Sequence, residues 1–233
     1  REGFPADRAF QPHGIFLSNS TARLYVVSHG MTRGGTRIEI FEVQAPPDGV
    51  GAIGLRLKYL ESVTAPESQF GIGTLNDVVE GRDANELYVT KWLPQAMSPM
   101  GLDHPQTFAH RLAKLRLYGS LFVSHAVIYR CSKSTDDAWT CAVVGNYGNS
   151  YNGITISADR HTVFANDFYA KTIKVFAVGS DGGLTQMGGI SSPHYMDNIH
   201  LDTESGDITA GTLPLLIEAM KAFEAPAKAD PVP

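Results

Sequence analysis

Short β-prone runs recur along this chain in sets of four, each run closed by Pro, Gly, Asn or Asp. That rhythm is the pattern of a sandwich, a barrel or a propeller. The first set is Gly14–Ser18, Leu24–Ser28, Arg37–Val43 and Leu55–Thr64, divided from the next by Ala65-Pro66-Glu67-Ser68. The second is Leu75–Glu80, Glu86–Thr90, Leu121–Cys131 and Thr140–Gly145. The third is Ile154–Ser157, His161–Ala165, Thr172–Val178 and Leu184–Ile190, and a fourth begins with Asn198–Asp202 and Asp207–Gly211 before fading. Four strands over roughly 45 residues is the unit of a propeller blade, so an all-β propeller is the expected fold. Identity between the sets is weak, which makes the repeat one of structure.

One stretch breaks the rhythm. Between Pro94 and Gly119 the chain carries Met97, Met100, Leu102, Phe108, Leu112, Leu115 and Leu117 with Arg and His between them. From Gln106 onward, Phe108, Leu112 and Leu115 share one helical face. An insertion between two strands of a blade must sit at an end of the propeller, and this one is apolar enough to cover a site. A short helical lid is the expectation; a helix that plugs the ring or meets another subunit is the alternative. The propeller is expected over residues 1–222. The Pro- and Ala-rich end, 223–233, reads as a linker or disordered tail.

Composition narrows the function classes. The 19 basic and 24 acidic residues leave a net charge of -5, which argues against a nucleic-acid partner. No apolar run approaches the ~18 residues of a membrane span, and 43% hydrophobic content supplies a core. No signal-peptide pattern stands at Arg1-Glu2-Gly3, although a mature or truncated chain would have lost one. Cys131 and Cys141 flank a polar turn between strand-like runs, where directly opposed residues lie ~4.5–5.5 Å apart, so a cross-strand disulfide is expected. Asn19-Ser20-Thr21 is a glycosylation sequon in a turn. Both features fit a secreted protein; two buried free thiols and a chance sequon are the alternative.

Five segments set a polar residue where a half-buried strand meets a loop: Pro12-His13-Gly14-Ile15, Val27-Ser28-His29, Leu75-Asn76-Asp77-Val78, Tyr151-Asn152-Gly153-Ile154 and Met196-Asp197-Asn198-Ile199. Asn, Asp and His inside apolar strand sequence need partners. Asn and Asp offer hard oxygen ligands, of which Ca²⁺ takes six to eight. Donors scattered over several strands suggest one ion on the axis of a radial β architecture. Taken singly, Asn76-Asp77 could cap a turn, Asn152-Gly153 is a common turn dipeptide, and a lone His after a strand is often a satisfied loop residue.

In this order the segments resemble the paraoxonase/arylesterase family, calcium-dependent lactonases on a six-bladed β-propeller. The most specific pieces are Leu-Asn-Asp-Val-Val, Asn-Gly-Ile-Thr-Ile-Ser-Ala-Asp and Asp-Asn-Ile-x-x-Asp-x-x-x-Gly-Asp, and the likeness runs from Pro12 to about Gly211. The resemblance implies that Asn76, Asn152, Asp197 and Asn198 bind a catalytic calcium, and that Asp77 and the backbone carbonyl of Ile15 bind a second, structural one. It also places His13 and His29 beside the catalytic ion, with His13 as general base and His29 as proton relay. A calcium held by three amides and one carboxylate keeps enough charge to polarise an ester carbonyl, and a histidine can take a proton from water at neutral pH. The substrate would be a lactone or an aryl ester.

Three departures stand out. The resemblance puts the family's first blade, which supplies an acidic ligand to each calcium, before Arg1, so the chain covers about four blades and further polypeptide is expected to complete the ring. Residues 1 to 233 alone are accordingly not expected to form a stable, fully active monomer. Lys91-Trp92 stands where mammalian members carry an Asp-His pair, and a cation there is expected to raise the local potential and change which histidine acts as base; the Thr212-Leu213 region replaces a pocket histidine. No G-x-S-x-G elbow, H-E-x-x-H or glycine-rich phosphate loop offers another catalytic set. A non-catalytic propeller that binds a partner is the competing class. A strictosidine-synthase-like propeller is disfavoured by the calcium-ligand set.

Overall fold

A computed structural model describes residues 2–45, 55–94 and 125–213, which hold fourteen strands. The first sheet is β1 (Pro12–Ser18), β2 (Arg23–Ser28), β3 (Arg37–Gln44) and β4 (Arg56–Val63). The second is β5 (Leu75–Glu80), β6 (Glu86–Lys91), β7 (Ala126–Lys133) and β8 (Trp139–Gly148). The third is β9 (Tyr151–Ile156), β10 (Thr162–Asp167), β11 (Thr172–Val178) and β12 (Leu184–Ser191), and a pair β13 (Tyr195–Leu201) and β14 (Ile208–Leu213) follows. Each sheet is an antiparallel meander in chain order, and the first strands β1, β5, β9 and β13 adjoin one another in sequence. Four-stranded meanders arranged by their innermost strands are propeller blades. The expected lid over Pro94–Gly119 falls, apart from Pro94, outside the described residues, as does the tail 223–233.

The period-2 alternation of a strand explains how the blades pack. Along β6, Leu87 and Val89 join Tyr25, Val27, Ile38 and Ile40 of the first blade, while Tyr88 turns to Ile154, Val163 and Phe176 of the third. Along β7, Val127, Tyr129 and Cys131 face the first blade and Ala126 and Ile128 the third. β5, β6 and most of β7 in the middle blade are therefore buried on both faces, and every residue of β5 and β6 is buried. Each such side chain contributes roughly 1.5–3 kcal/mol by leaving water. A third, smaller cluster of Ile173, Met196 and Ile199 seats β13 on the third blade.

Polar ties reinforce the same interfaces. Glu61 on β4 accepts from Lys133 Nζ and Trp139 Nε1 of the second blade, each at 2.9 Å. Tyr88 on β6 donates to the carbonyl of Gly182 in the third blade at 2.9 Å, and within the second blade Glu86 accepts from Arg130 Nε at 2.6 Å. Cys131 and Cys141 are direct partners in the β7–β8 ladder and form the expected disulfide.

Every expected strand is present, but three of the four inner ones begin earlier than the sequence suggests. β1 starts at Pro12, β9 at Tyr151 and β13 at Tyr195, so Asn152 and Asp197 lie inside strands and not before them. The reason is a bulge, described next.

Candidate functional site

Each blade's inner strand carries the same irregularity near its beginning. Pro12 pairs with Ser28 and Ile15 with Val26, which sets His13 and Gly14 opposite Val27 alone. Asn76 and Asp77 likewise oppose Thr90, Asn152 and Gly153 oppose Asn166, and Asp197 and Asn198 oppose Gly211. Two residues against one is a β-bulge, which bends the strand and re-aims its side chains. Four bulges on four adjoining inner strands bring His13, Asn76, Asp77, Asn152, Asp197 and Asn198 to one end of the propeller.

The inner strands approach closely there, and two of the bulges need glycine for it. A Cβ on Gly14 would stand 2.3 Å from the carbonyl oxygen of Asn76, and one on Gly153 would stand 2.5 Å from the amide nitrogen of Ile199. Both are well inside van der Waals contact. A cleft of about 480 Å³ opens between β1 and the β13–β14 pair, lined among others by His13, Ile15, Asp77, Asn198 and Thr209.

Two buried amides present oxygens with nothing to accept from. Asn76 is 2% exposed and Asn152 6%, yet the Oδ1 of each has no hydrogen-bond partner among the described residues. An unmatched buried acceptor costs about 1–3 kcal/mol. Asp77 is also buried; its Oδ1 accepts from the amide of Val78 and its Oδ2 from that of Ile154, at 2.9 and 3.1 Å. Burial pushes its carboxyl up to about 7 against those two hydrogen bonds. Asp197 and Asn198 are exposed. Orphaned amide oxygens beside a buried carboxylate and an exposed Asp-Asn pair are the donor set of a hard cation, and the residues fit calcium by that criterion. Among the described residues no three His, Cys, Asp or Glu side chains group closely enough to hold a metal, so a site here depends on the Asn oxygens.

The histidine pair adjoins this set. The rings of His13 and His29 lie 4.8 Å apart, and Nε2 of His13 is 3.2 Å from Nδ2 of Asn76. With the amide nitrogen donating to His13, the oxygen of Asn76 is the atom left over. Burial depresses the pKa of both rings: His29 falls to about 4, with His13 adding repulsion, while Asp197 partly offsets the lowering at His13. Both are neutral at pH 7 and able to accept a proton. His29 is 5% exposed and its Nδ1 lacks a partner among the described residues.

Of the Lys91-Trp92 pair, Trp92 is the residue that meets the histidines. Its ring stacks on His13 with centroids 6.3 Å apart, and its Nε1 donates to the carbonyl of Gly73. Lys91 is buried with its Nζ 3.4 Å from the carbonyl of Ser68, and burial lowers its pKa. The cation expected to raise the local potential is thus directed at a backbone oxygen. Thr212 pairs with Met196 and Leu213 with Tyr195, beside the fourth bulge. Asn19 sits exposed in the β1–β2 turn. Sequence reasoning missed Thr90 and Asn166, the residues that face two of the bulges. Their signal was a polar residue near the end of an otherwise apolar strand.

The Arylesterase family model matches residues 127–230. Over 213 residues the chain is 28% identical to serum paraoxonase/lactonase 3 of Homo sapiens, covering 88% of this chain and 49% of that protein. Serum paraoxonase/arylesterase 2 of Canis lupus familiaris is 28% identical over 210 residues, covering 88% and 50%. The chain therefore spans about half the length of the curated relatives it matches. The periplasmic gluconolactonase of Pseudomonas aeruginosa superposes with a TM-score of 0.45 at 16% identity, covering 86% of this chain and 50% of that one.

Proposed function

From this chain's kinship with the paraoxonase/arylesterase family we propose that the protein is a calcium-dependent hydrolase of lactones or aryl esters, working at the end of the propeller where the four bulges meet. Asn76, Asn152, Asp197 and Asn198 would hold the catalytic ion, and Asp77 with the carbonyl of Ile15 a structural one. When bound, calcium polarises the ester carbonyl and stabilises the oxyanion that forms. His13 acts as general base, taking the proton of the attacking water once that water replaces the Asn76 amide at its Nε2. His29, buried behind it, relays that proton and holds the His13 ring in place. Trp92 lies alongside one face of His13 and limits how that ring can turn.

The observation that carries this reading is the pair of buried oxygens on Asn76 and Asn152, without a partner among the described residues, beside two neutral histidines. The test is turnover of a panel of lactones and aryl esters by the full-length protein, with and without chelator. His13→Gln should lower turnover by about 10²–10⁴-fold, the usual contribution of a general base, and leave calcium affinity unchanged. No hydrolysis of any member in the presence of calcium would leave the binding-module alternative standing.

The cross-strand disulfide and the exposed sequon at Asn19 support secretion, with Asn19 glycosylated. The partner is a small ester, with no nucleic acid involved. The propeller would occupy residues 1–222 and a linker or tail 223–233, and a six-bladed ring would draw its remaining blades from polypeptide outside residues 1–233.

A further inference from the structure

The residues that face the bulges share a use. Thr90 Oγ1, opposite the Asn76-Asp77 bulge, donates at 2.6 Å to the carbonyl of Asn152, inside the bulge of the following blade. Asn166, opposite the Asn152-Gly153 bulge, donates through Nδ2 to the carbonyl of Asp197 at 2.7 Å and to that of Met196, again in the following blade. Val27 and Gly211, at the two remaining equivalent positions, have no side-chain donor to offer.

Asn166 is an odd residue to find where it is. It is fully buried, and its Oδ1 has no partner among the described residues, so it carries an uncompensated polar group that an apolar side chain would avoid. The interface around it is otherwise apolar, built from Ile173, Met196 and Ile199. What the amide supplies is two donors for one short stretch of β13. Asp197 and Asn198 are themselves exposed, so their aim depends on how their backbone is held.

We propose that Asn166 is a positioning residue of the cation site: it clamps the backbone of the Asp197-Asn198 bulge so that both side chains converge on Asn76 and Asn152, as Thr90 does for Asn152. This inference rests on the calcium reading above. It extends the machinery one step outward, from the ligand side chains to the strand-two residue of the preceding blade.

The test compares Asn166→Val with Asn166→Thr in the full-length protein. Thr keeps a donor hydroxyl of the kind the chain already uses at Thr90, and Val has nearly its shape without the donor. Calcium affinity is measured by calorimetry, and Eu³⁺ luminescence lifetimes in light and heavy water count the waters on the bound ion. Asn166→Val should lower calcium affinity about 10–100-fold, the usual cost of losing an outer-shell partner, and admit about one extra water; Asn166→Thr should restore most of both. A plain packing role would lower the melting temperature and leave the hydration number alone. Wild-type affinity and hydration in Asn166→Val, or no difference between Val and Thr, overturns the clamp while the calcium site stands. Failure of the wild-type protein to bind either ion overturns the calcium reading, and the clamp with it. If Val at this position prevents folding, Asn166→Ser against Asn166→Ala makes the same comparison.

Discussion

Replacing Glu80 by Leu should destabilise the protein by about 3 kcal/mol while leaving the proposed cation site unchanged. Glu80 ends β5, the far end of the strand from Asn76, and is 1% exposed. Its carboxylate accepts from Ser18 Oγ at 2.7 Å, Thr21 Oγ1 at 2.8 Å and Tyr25 Oη at 2.5 Å. Arg160 of the third blade donates to its backbone carbonyl at 2.7 Å and reaches the carboxylate at 3.5 Å. One side chain thus ties three blades together. Burial and the neighbouring Glu80 together hold the Tyr25 phenol well above its ordinary range, so it stays protonated and donates to the carboxylate.

Leu at position 80 would leave the fully buried Tyr25 hydroxyl without its acceptor and Ser18 with only Ser20 Oγ, at 3.0 Å, to turn to, at about 1–3 kcal/mol for each donor left unmatched. Thr21 and Arg160 reach solvent and add little. Removing the carboxylate also removes its own desolvation cost, which trims the sum to about 3 kcal/mol. Tyr25→Phe in the same background should recover about 1–2 kcal/mol, because the orphaned donor disappears with its acceptor. The assay is a double-mutant cycle on urea midpoints of the full-length protein, with calcium affinity measured alongside. Additivity of the two changes within ~0.5 kcal/mol would refute the coupling, and a parallel loss of calcium affinity would show that the two ends of the blade are not independent.

Acid stability should track Glu86. Its burial works to raise the carboxyl, but hydrogen bonds from Arg82 and Arg130 prevail and hold it at about 2 against an ordinary 4.5. The unfolded chain takes up the proton first, so this stabilisation is complete above about pH 4.5 and lost as pH falls toward 2; Glu86→Gln should flatten that limb of the stability profile, and an unchanged slope would count against the pair. Cys131→Ala with Cys141→Ala should cost roughly 2–3 kcal/mol, the chain-entropy value for a loop of that size, and non-reducing peptide mapping should recover the two cysteines in one linked fragment. Asp197→Ala should lose more calcium affinity than Asn152→Ala, since it removes the only charged member of the proposed catalytic set; equal losses by calorimetry would mean that charge is not what decides.

Most of the strand pattern was legible because it is local. Alternation and turn residues mark each run, and Gly, Pro, Asn and Asp mark the ends. The disulfide was legible for the same reason, since both cysteines lie in one hairpin. The site was legible only as a list of residue types. Asn152 and Asp197 read as residues ahead of strands, because nothing in a single segment reveals that two residues there face one across the ladder. Asn166 and Thr90 were missed because their partners belong to the next blade, 31 and 62 residues away along the chain. Lys91 was expected to act on the histidines, yet it is Trp92 that reaches His13, since where a strand's last side chains point depends on the neighbouring blade and not on their order in the sequence.

The bulges also explain how blades so unlike in sequence can build one site. In a regular strand, neighbouring side chains leave by opposite faces, so a blade could offer the axis only one polar group without placing another in the apolar interface. With two residues opposite one, both can be turned toward the axis, and the strand resumes its alternation afterward with the apolar set still facing the cores. The composition of the bulges then follows from crowding. Blades one and three place glycine second, as Gly14 and Gly153, where the backbones of Asn76-Asp77 and Asn198-Ile199 press against them. At the same position blades two and four have Asp77 and Asn198, side chains that carry oxygen. Alternating a glycine bulge with an oxygen-bearing one lets the four adjoining inner strands approach closely without collision. The repeat that matters in this protein is therefore one of backbone register, and the residues within it differ because each must fit the blade beside it.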